Sequence, residues 1–501
     1  MSARVLLIAA DSVEPDLIRE WAADGTLPGF ARLYAEGAFG PLTNGVPGLP
    51  GSAWPEVNTG LAGSKNGIYF PPHQFMEGES EARRVRPDEI DGESFHWNIA
   101  AAARLRVAAI DQIHTVPVHE SAALQLTDWG AHDRLYQPAS SPPELLAEVD
   151  ARHGPYPIDS CDVFHGGTNA GYARLTDQLL IAAERKTNLL VDIIGRNDWD
   201  IFSASFGEAH CAGHQMWHLM EPSHPRHRRD APHELHTAIQ RVYQAVDHGI
   251  QRTIDAAGDD AAVIVVAAKG MGKEVGGGQL IPEVLHRLGL GAPLSLRRRL
   301  WSRVPAPLRS KLLGTIPNSV RQGSAVGRLP GFESGASAVS LTNDQDIGIR
   351  FGLIGRDHEG TIPPSVFEEV RGEVCEELRN LRLPVSGEPI VDAIIIADSH
   401  WDSGRVYTIP DVLVSFRKDI GLIEACESTR VGTVRGRLGS RTGNHNGHNA
   451  LWVTGPEIGP STNLGAVRTV DVPATLLALV NAAPPHKTDG RPIAALVNPA
   501  S

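Results

Sequence analysis

Cysteine and long apolar runs are both scarce in this 501-residue chain, and each absence excludes a class of protein. The 4 cysteines, Cys161, Cys211, Cys375 and Cys426, lie far apart and show no paired metal spacing. That pattern excludes a disulfide-rich scaffold and a thiolate zinc site, and it favours reduced thiols in a cytoplasmic protein. No run approaches the roughly 18 apolar residues that a membrane span needs, so we predict no membrane segment.

Basic residues are fewer than acidic residues. With 46 Lys and Arg against 59 Asp and Glu, the formal net charge is −13, which argues against a nucleic-acid-binding surface. The apolar fraction of 42% and the charged fraction of 21% are typical of a soluble globular protein. The apolar run at residues 5–10 is too short for a signal peptide and predicts a first strand instead.

Strand-like apolar runs alternate with helical patterns along the chain. The predicted strands are 5–10, 199–204, 263–266, 393–397 and 450–453, and the predicted helices are 15–21, 235–257 and 470–480. This alternation predicts an α/β fold with a mainly parallel sheet and helices on both faces. We find no clear linker, so we predict a single domain over 1–501, with insertions over the active-site edge at about 70–175 and 290–345.

The strongest chemical signal is the segment FGEAHCAGHQMWH at residues 206–218. His210 and His214 are four residues apart, which places both imidazoles on one face of a helix, and neutral imidazole is a good zinc ligand. The segment GNHNGH offers His445 as a third ligand, because its glycines let the backbone approach closely. The alternative is a histidine-rich surface, since 21 histidines produce some pairs by chance.

Several further motifs follow one another in order along most of the chain. They are LLIAADSVEPDLIREW from residue 6, GSAWPEVNTG at 51–60, VIVVAAKGMG at 263–272, GIRFGLIGRDHEG at 348–360 and TGNHNGHNALWVTGP at 442–456. Together they resemble the type I phosphodiesterase/nucleotide pyrophosphatase branch of the alkaline phosphatase superfamily. The resemblance implies an alkaline phosphatase-like fold in which two zinc ions act on a phosphoryl or sulfuryl group at the carboxyl ends of the strands.

The resemblance also implies that one metal site is retained. Where the family has an Asp-x-x-x-His segment, this chain has His210 and His214, and His445 stands at the family's C-terminal histidine. We therefore expect these three residues to bind one zinc ion.

The second metal site is altered. Asp11 remains, but the family's Asp-His pair falls on Ala268 and Lys269, and its nucleophile position falls on Pro50. We predict that Lys269 replaces the second cation by a fixed positive charge paired with Asp11, which keeps the pocket attractive to anions. The alternative is that Lys269 faces solvent. Ser52, two residues after Pro50, either acts as the nucleophile or caps the following helix.

Five further side chains have roles that spacing leaves open. Glu208, His218 and His448 are candidates for orienting a metal ligand or acting as a general base. Arg350 and Arg356 either contact an anionic substrate or have a structural role.

Three functions remain compatible with these features. The first is an enzyme with one zinc ion that hydrolyses or transfers a phosphate- or sulfate-type group on a small anionic, for example nucleotide-like, substrate. The second is a non-catalytic relative that binds an anionic ligand or a partner. The third is a metal-dependent enzyme that acts on a different bond. Three clustered histidines favour catalysis, whereas Pro50, Ala268 and Lys269 argue against an ordinary phosphodiesterase.

Overall fold

The computed structural model describes residues 3–44, 50–76, 78–130, 134–158, 167–292, 331–332, 335–343, 346–397, 408–436, 439, 441–456, 458–460, 462–483 and 488–497. Its helices are α1 Pro15–Ala23, α2 Pro28–Glu36, α3 Ala53–Thr59, α4 Gly63–Asn66, α5 His96–Ala102, α6 Glu144–His153, α7 Asn169–Ile194, α8 Glu208–Met220, α9 His233–His236, α10 Ala238–Ala257, α11 Ile281–Arg287, α12 Phe367–Asn380, α13 Asp471–Leu479 and α14 Ala494–Val497.

Its strands are β1 Ala3–Ala10, β2 Ala38–Thr43, β3 Val107–Ile110, β4 Leu124–Thr127, β5 Ala139–Ser141, β6 Trp199–Phe206, β7 Ala262–Ala267, β8 Met271–Lys273, β9 Ala338–Asn343, β10 Asp346–Phe351, β11 Val391–Ile396, β12 Val412–Phe416, β13 Ala425–Ser428, β14 Gly432–Arg435, β15 Gly443–His445, β16 Ala450–Thr454, β17 Thr462–Asn463 and β18 Val467–Arg468.

The central sheet has the strand order β17-β2-β16-β7-β1-β6-β3-β4-β5, and β18 pairs with β2. The five strands from β7 to β4 run parallel, whereas β16 is antiparallel to both of its neighbours. Alternate residues of β1 enter two different cores. Leu6 and Ile8 pack with residues of α1, α2, α7, α8 and α10, and Leu7 packs with residues of α3, α5 and α13. The predicted α/β fold, with helices on both faces of a mainly parallel sheet, is confirmed.

The predicted insertion at 70–175 is too wide, because β3, β4 and β5 belong to the central sheet. These strands have 4, 4 and 3 residues and lie among Pro-, Gly- and polar-rich segments, so they give little apolar signal. Residues 293–330 of the other predicted insertion lie outside the described residues. The predicted strand at 393–397 is β11, in a second sheet of order β11-β12-β10-β9 that shares a separate core with α11 and α12.

Two further features of the described residues concern helix hydropathy and cysteine. None of the described helices is long and apolar enough to cross a membrane. Cys211, Cys375 and Cys426 are buried and are not in a disulfide bond, whereas Cys161 lies outside the described residues.

The carboxyl ends of the parallel strands place the backbone in unusual conformations. Ser12 follows β1 with a φ of 59°, and Lys269 follows β7 with a φ of 61°. A left-handed conformation costs a non-glycine residue roughly 1–2 kcal/mol, and such residues cluster at functional sites. The short β8–β15 ribbon pairs His445 with Met271 and thereby holds His445 beside the end of β7.

Candidate active site

Three buried histidines meet at the carboxyl edge of the central sheet. His210 and His214 lie one turn apart on α8, with ring centroids 4.6 Å apart, and the His445 ring lies 4.7 Å and 4.9 Å from theirs. Each residue offers a ring nitrogen, and the three nitrogens lie within 4.8 Å of one another. This histidine triad (His210, His214 and His445) is a group that could hold a metal ion.

The hydrogen bonds of the histidine triad determine which nitrogen carries the proton. His210 Nδ1 lies 2.6 Å from Asp11 Oδ2, His214 Nδ1 lies 2.7 Å from the Gly443 carbonyl, and His445 Nδ1 lies 3.0 Å from the Lys269 carbonyl. Carboxylate and carbonyl oxygens only accept, so each Nδ1 donates. In the neutral rings each Nε2 then keeps its lone pair, which is the state a metal ligand needs.

Two glycines allow α8 to approach the ribbon that holds His445. A Cβ at Gly443 would overlap the Gly213 carbonyl oxygen, and a Cβ at Gly213 would lie 2.5 Å from Met271 Cγ. Glycine within a helix costs about 1 kcal/mol relative to alanine, so Gly213 is explained by this packing. Thr442 N–H donates to the His214 carbonyl at 2.8 Å, which fixes the main chain of the two segments together.

Asp11 lies beside the histidine triad and orients one of its rings. Its Oδ1 accepts hydrogen bonds from Trp54 Nε1 at 2.9 Å and from the Ser12 hydroxyl at 3.2 Å, while its Oδ2 contacts His210. A carboxylate behind a histidine is the usual arrangement for raising the basicity of a metal ligand. The predicted ion pair between Asp11 and Lys269 stays a prediction.

Lys269 is buried, with an exposed fraction of 4%, so the alternative in which it faces solvent is wrong. Its main-chain N–H donates to Asn449 Oδ1 at 2.6 Å, and its Nζ lies 5.5 Å from the centre of the Phe70 ring. The preceding residue, Ala268, packs in the core. The structure thus places a basic side chain, and not an ordinary metal ligand, at this strand end.

Ser52 lies at the start of α3, as the capping prediction required, but its side chain makes no cap hydrogen bond. The hydroxyl instead donates to Glu56 Oε1 at 3.0 Å. The same carboxylate accepts from Gly63 N–H at 2.9 Å and from the Thr469 hydroxyl. A hydrogen bond from a hydroxyl to a carboxylate is stronger than one between two neutral groups, so it competes well with a cap hydrogen bond. Pro50 begins the short 3-10 turn Pro50–Ser52 that leads into this helix.

Of the three candidates for orienting a metal ligand or acting as a general base, His218 contacts the segment that leads to His445. Glu208 and His448 have other contacts. His218 Nδ1 lies 3.1 Å from the Thr442 hydroxyl, and burial lowers the pKa of His218 to about 4. Glu208 accepts a hydrogen bond from Tyr156 at 2.9 Å, and burial raises the pKa of this carboxyl. The His448 side chain is 61% exposed and lies 3.2 Å from Glu14 Oε1.

Arg350 and Arg356 form a buried ion-pair network with acidic residues of the same region. Arg350 contacts Asp357 at 2.7 Å, and Arg356 contacts Asp357 at 2.8 Å and Asp411 at 2.5 Å. Of the two open roles, these contacts favour the structural one.

Sequence reasoning missed two side chains of this region. Trp54 lies within the GSAWPEVNTG motif, and its buried indole N–H donates to Asp11 Oδ1. A buried indole N–H needs such an acceptor. Arg441 lies one residue before the quoted TGNHNGH segment, and its Nη1 is 3.3 Å from His214 Nε2. No spacing rule connects these residues to a site that forms only in the fold.

Comparisons with known proteins give structural matches alone. No family model matches the chain, and no curated protein matches it. The chain is similar to the solved structure of murine ectonucleotide pyrophosphatase/phosphodiesterase 5, with 11% identity over 97% of each chain and a TM-score of 0.48. It is also similar to phosphonoacetate hydrolase from Sinorhizobium meliloti 1021 in complex with phosphonoformate, with 13% identity over 96% of each chain and a TM-score of 0.49.

Proposed function

We propose that this protein is a hydrolase that binds one zinc ion in the histidine triad and cleaves a phosphate- or sulfate-type group from a small anionic substrate. The observation that carries the proposal is that each Nδ1 of the three rings donates to an oxygen, so that in the neutral rings each Nε2 carries a lone pair and not a proton. Three neutral nitrogen ligands suit zinc and leave a fourth position open, which is typical of catalytic rather than structural sites.

The residues around the histidine triad suit an anionic group. When bound, zinc supplies positive charge that polarises the phosphoryl or sulfuryl oxygens. Lys269 adds a buried basic side chain that is part of the chain itself, and Asp11 keeps His210 in the tautomer that a metal needs. Zinc and Lys269 together favour a group with negative charge on its oxygens over a neutral carbonyl.

Pro50 has no hydroxyl, so we propose that water attacks the group directly in one step. The water oxygen forms a bond to phosphorus or sulfur as the bond to the leaving oxygen breaks. One proton of the water passes to the leaving oxygen, and the other stays on the released phosphate or sulfate. Transfer of the group to an alcohol would follow the same route with a different acceptor.

Zinc content and hydrolysis test this proposal together. Elemental analysis of purified protein should find about one zinc per chain, the number that a single triad of ligands binds. Nitrophenyl phosphate, phosphodiester, phosphonate and sulfate substrates should show turnover that a chelator abolishes and zinc restores. The variant His214→Ala should lose both zinc and turnover, whereas His233→Ala, which removes an exposed histidine of α9, should lose neither.

Two results would contradict the proposal. A zinc content of two per chain would show that a second metal binds despite Ala268 and Lys269. Zinc binding without turnover of any of these substrates would favour a non-catalytic relative or an enzyme that acts on another bond.

A further inference from the structure

Arg441 places a permanent positive charge against the histidine triad. Its Nη1 lies 3.3 Å from His214 Nε2. A guanidinium only donates hydrogen bonds, and His214 Nδ1 already donates to the Gly443 carbonyl, so His214 Nε2 is the acceptor. The lone pair that a metal would use therefore accepts a hydrogen bond from Arg441.

The surroundings of Arg441 hold it near the triad without burying it. Its carbonyl accepts a hydrogen bond from Arg226 at 3.3 Å, and its side chain is only partly exposed. The positive charge of Arg441 also acts on the Glu274 carboxyl. Burial raises the pKa of the Glu274 carboxyl to about 7, and the positive charge of Arg441 opposes that rise.

A metal ion and Arg441 cannot both use His214 Nε2. Zinc on this nitrogen requires the hydrogen bond from Arg441 to break, and the two cations then repel each other. An anion between them removes that repulsion, because its oxygens contact the metal and accept hydrogen bonds from the guanidinium. The planar guanidinium fork fits two oxygens of a phosphate at once, which a lysine ammonium does not.

We propose that Arg441 is a specificity-determining residue that donates to His214 Nε2 in the metal-free protein and to the oxygens of a dianionic phosphate-type group when zinc is bound. This inference rests on the proposed function, since it assumes zinc at the histidine triad. Arg441 then couples the two ligands: it weakens zinc binding when no anion is present and strengthens it when an anion is present. By reciprocity, zinc strengthens binding of the anion by the same factor.

Zinc titrations with and without inorganic phosphate test the coupling. Free zinc is set by a competing chelator, and the dissociation constant is measured for the wild type, Arg441→Met, Arg441→Lys and the control Arg430→Met, which removes an exposed arginine. In the wild type and the control, phosphate should tighten zinc binding about tenfold, a typical coupling between two ligands. In Arg441→Met, zinc should bind more tightly without phosphate, and phosphate should change its affinity by less than about twofold. Arg441→Lys should show intermediate coupling.

Weaker zinc binding by Arg441→Met in the absence of phosphate would overturn the inference, because Arg441 would then support the triad structurally. Unchanged phosphate coupling in Arg441→Met would also overturn it. A circular dichroism spectrum and a melting temperature like those of the wild type establish that the variant is folded. Coupling that depends on Arg441, found without turnover of any tested substrate, would support this inference and contradict the proposed hydrolase.

Discussion

The two halves of the carboxyl edge of the sheet use different means to hold positive charge. The histidine half consists of the histidine triad, whose lone pairs are oriented by hydrogen bonds to Asp11 and to two backbone carbonyls. The lysine half, after β7, consists of Ala268 in the core and the buried cation Lys269. One half can bind a cation that exchanges with solvent, whereas the other has a cation that is covalently part of the chain. A chelator should therefore empty one half and leave the other unchanged.

Removing a residue of the histidine triad should change zinc affinity far more than removing Lys269, and this is the largest expected difference between the halves. In His445→Ala, we expect zinc affinity to fall by more than about 100-fold, because losing a ligand should exceed the 10- to 100-fold cost of losing its outer partner. Lys269→Met should bind zinc at the same stoichiometry as the wild type. Elemental analysis after dialysis measures both. Equal loss of zinc in the two variants would show that Lys269 belongs to the histidine half.

Removing the charge of Asp11, which orients His210, should have the next largest effect on zinc affinity. Asp11→Asn keeps the shape of the side chain but removes the charge behind His210, so zinc affinity should fall about 10- to 100-fold. The comparison variant Ser12→Ala keeps the carboxylate and removes one hydrogen bond to Asp11 and a long contact of 3.4 Å with His445 Nδ1, so its effect should be smaller. The measurement is zinc competition with a chelator. Wild-type affinity in Asp11→Asn would mean that the contact at 2.6 Å does not affect metal binding.

The charge of Lys269 should affect the affinity for anions and leave the affinity for zinc unchanged. Phosphate affinity of the zinc-loaded Lys269→Met protein should fall roughly tenfold, since a hydrogen bond to a charged group is worth about 1.5–3 kcal/mol. Lys273→Met, which removes an exposed lysine four residues later, should bind phosphate like the wild type. Isothermal titration measures both. Equal phosphate affinity in all three proteins would show that the lysine half plays no part in anion binding.

Removing the Ser52 hydroxyl should have the smallest effect of these changes, and the quantity measured is kcat. Its hydroxyl donates to Glu56, so Ser52→Ala should lower kcat less than tenfold, because a single neutral group that makes no bond contributes about 1 kcal/mol. Thr469→Val removes another hydroxyl that donates to Glu56 and is the matched control. Hydrolysis of a chiral phosphorothioate should invert the configuration at phosphorus, as one direct displacement requires. Retention together with a collapse of kcat in Ser52→Ala alone would identify Ser52 as the nucleophile.

The sequence predicted the elements of this fold better than the contacts within its site. Four-residue spacing was enough to place His210 and His214 on one face of α8, because a helical turn has about 3.6 residues. Other contacts depend on neighbours from distant segments. Lys269 lies beside the Phe70 ring, and Glu56, which accepts the Ser52 hydrogen bond, also accepts one from Thr469. Local propensity contains no information about such neighbours. The cytoplasmic location and the absence of a nucleic-acid partner stay predictions.

The orienting contacts of the histidine triad join residues that are very far apart along the chain, and this has a consequence for folding. The contact between Asp11 and His210 spans 199 residues, and that between His214 and Gly443 spans 229. Closing such long loops is slow, so the complete set of ligands should appear late in folding. Of the three histidines of the triad, a nascent chain that has not yet reached Gly443 contains His210 and His214 and lacks His445. Zinc should therefore bind the finished fold much more tightly than any intermediate. Free zinc at 100 times the dissociation constant should raise the free energy of unfolding by about 2.7 kcal/mol.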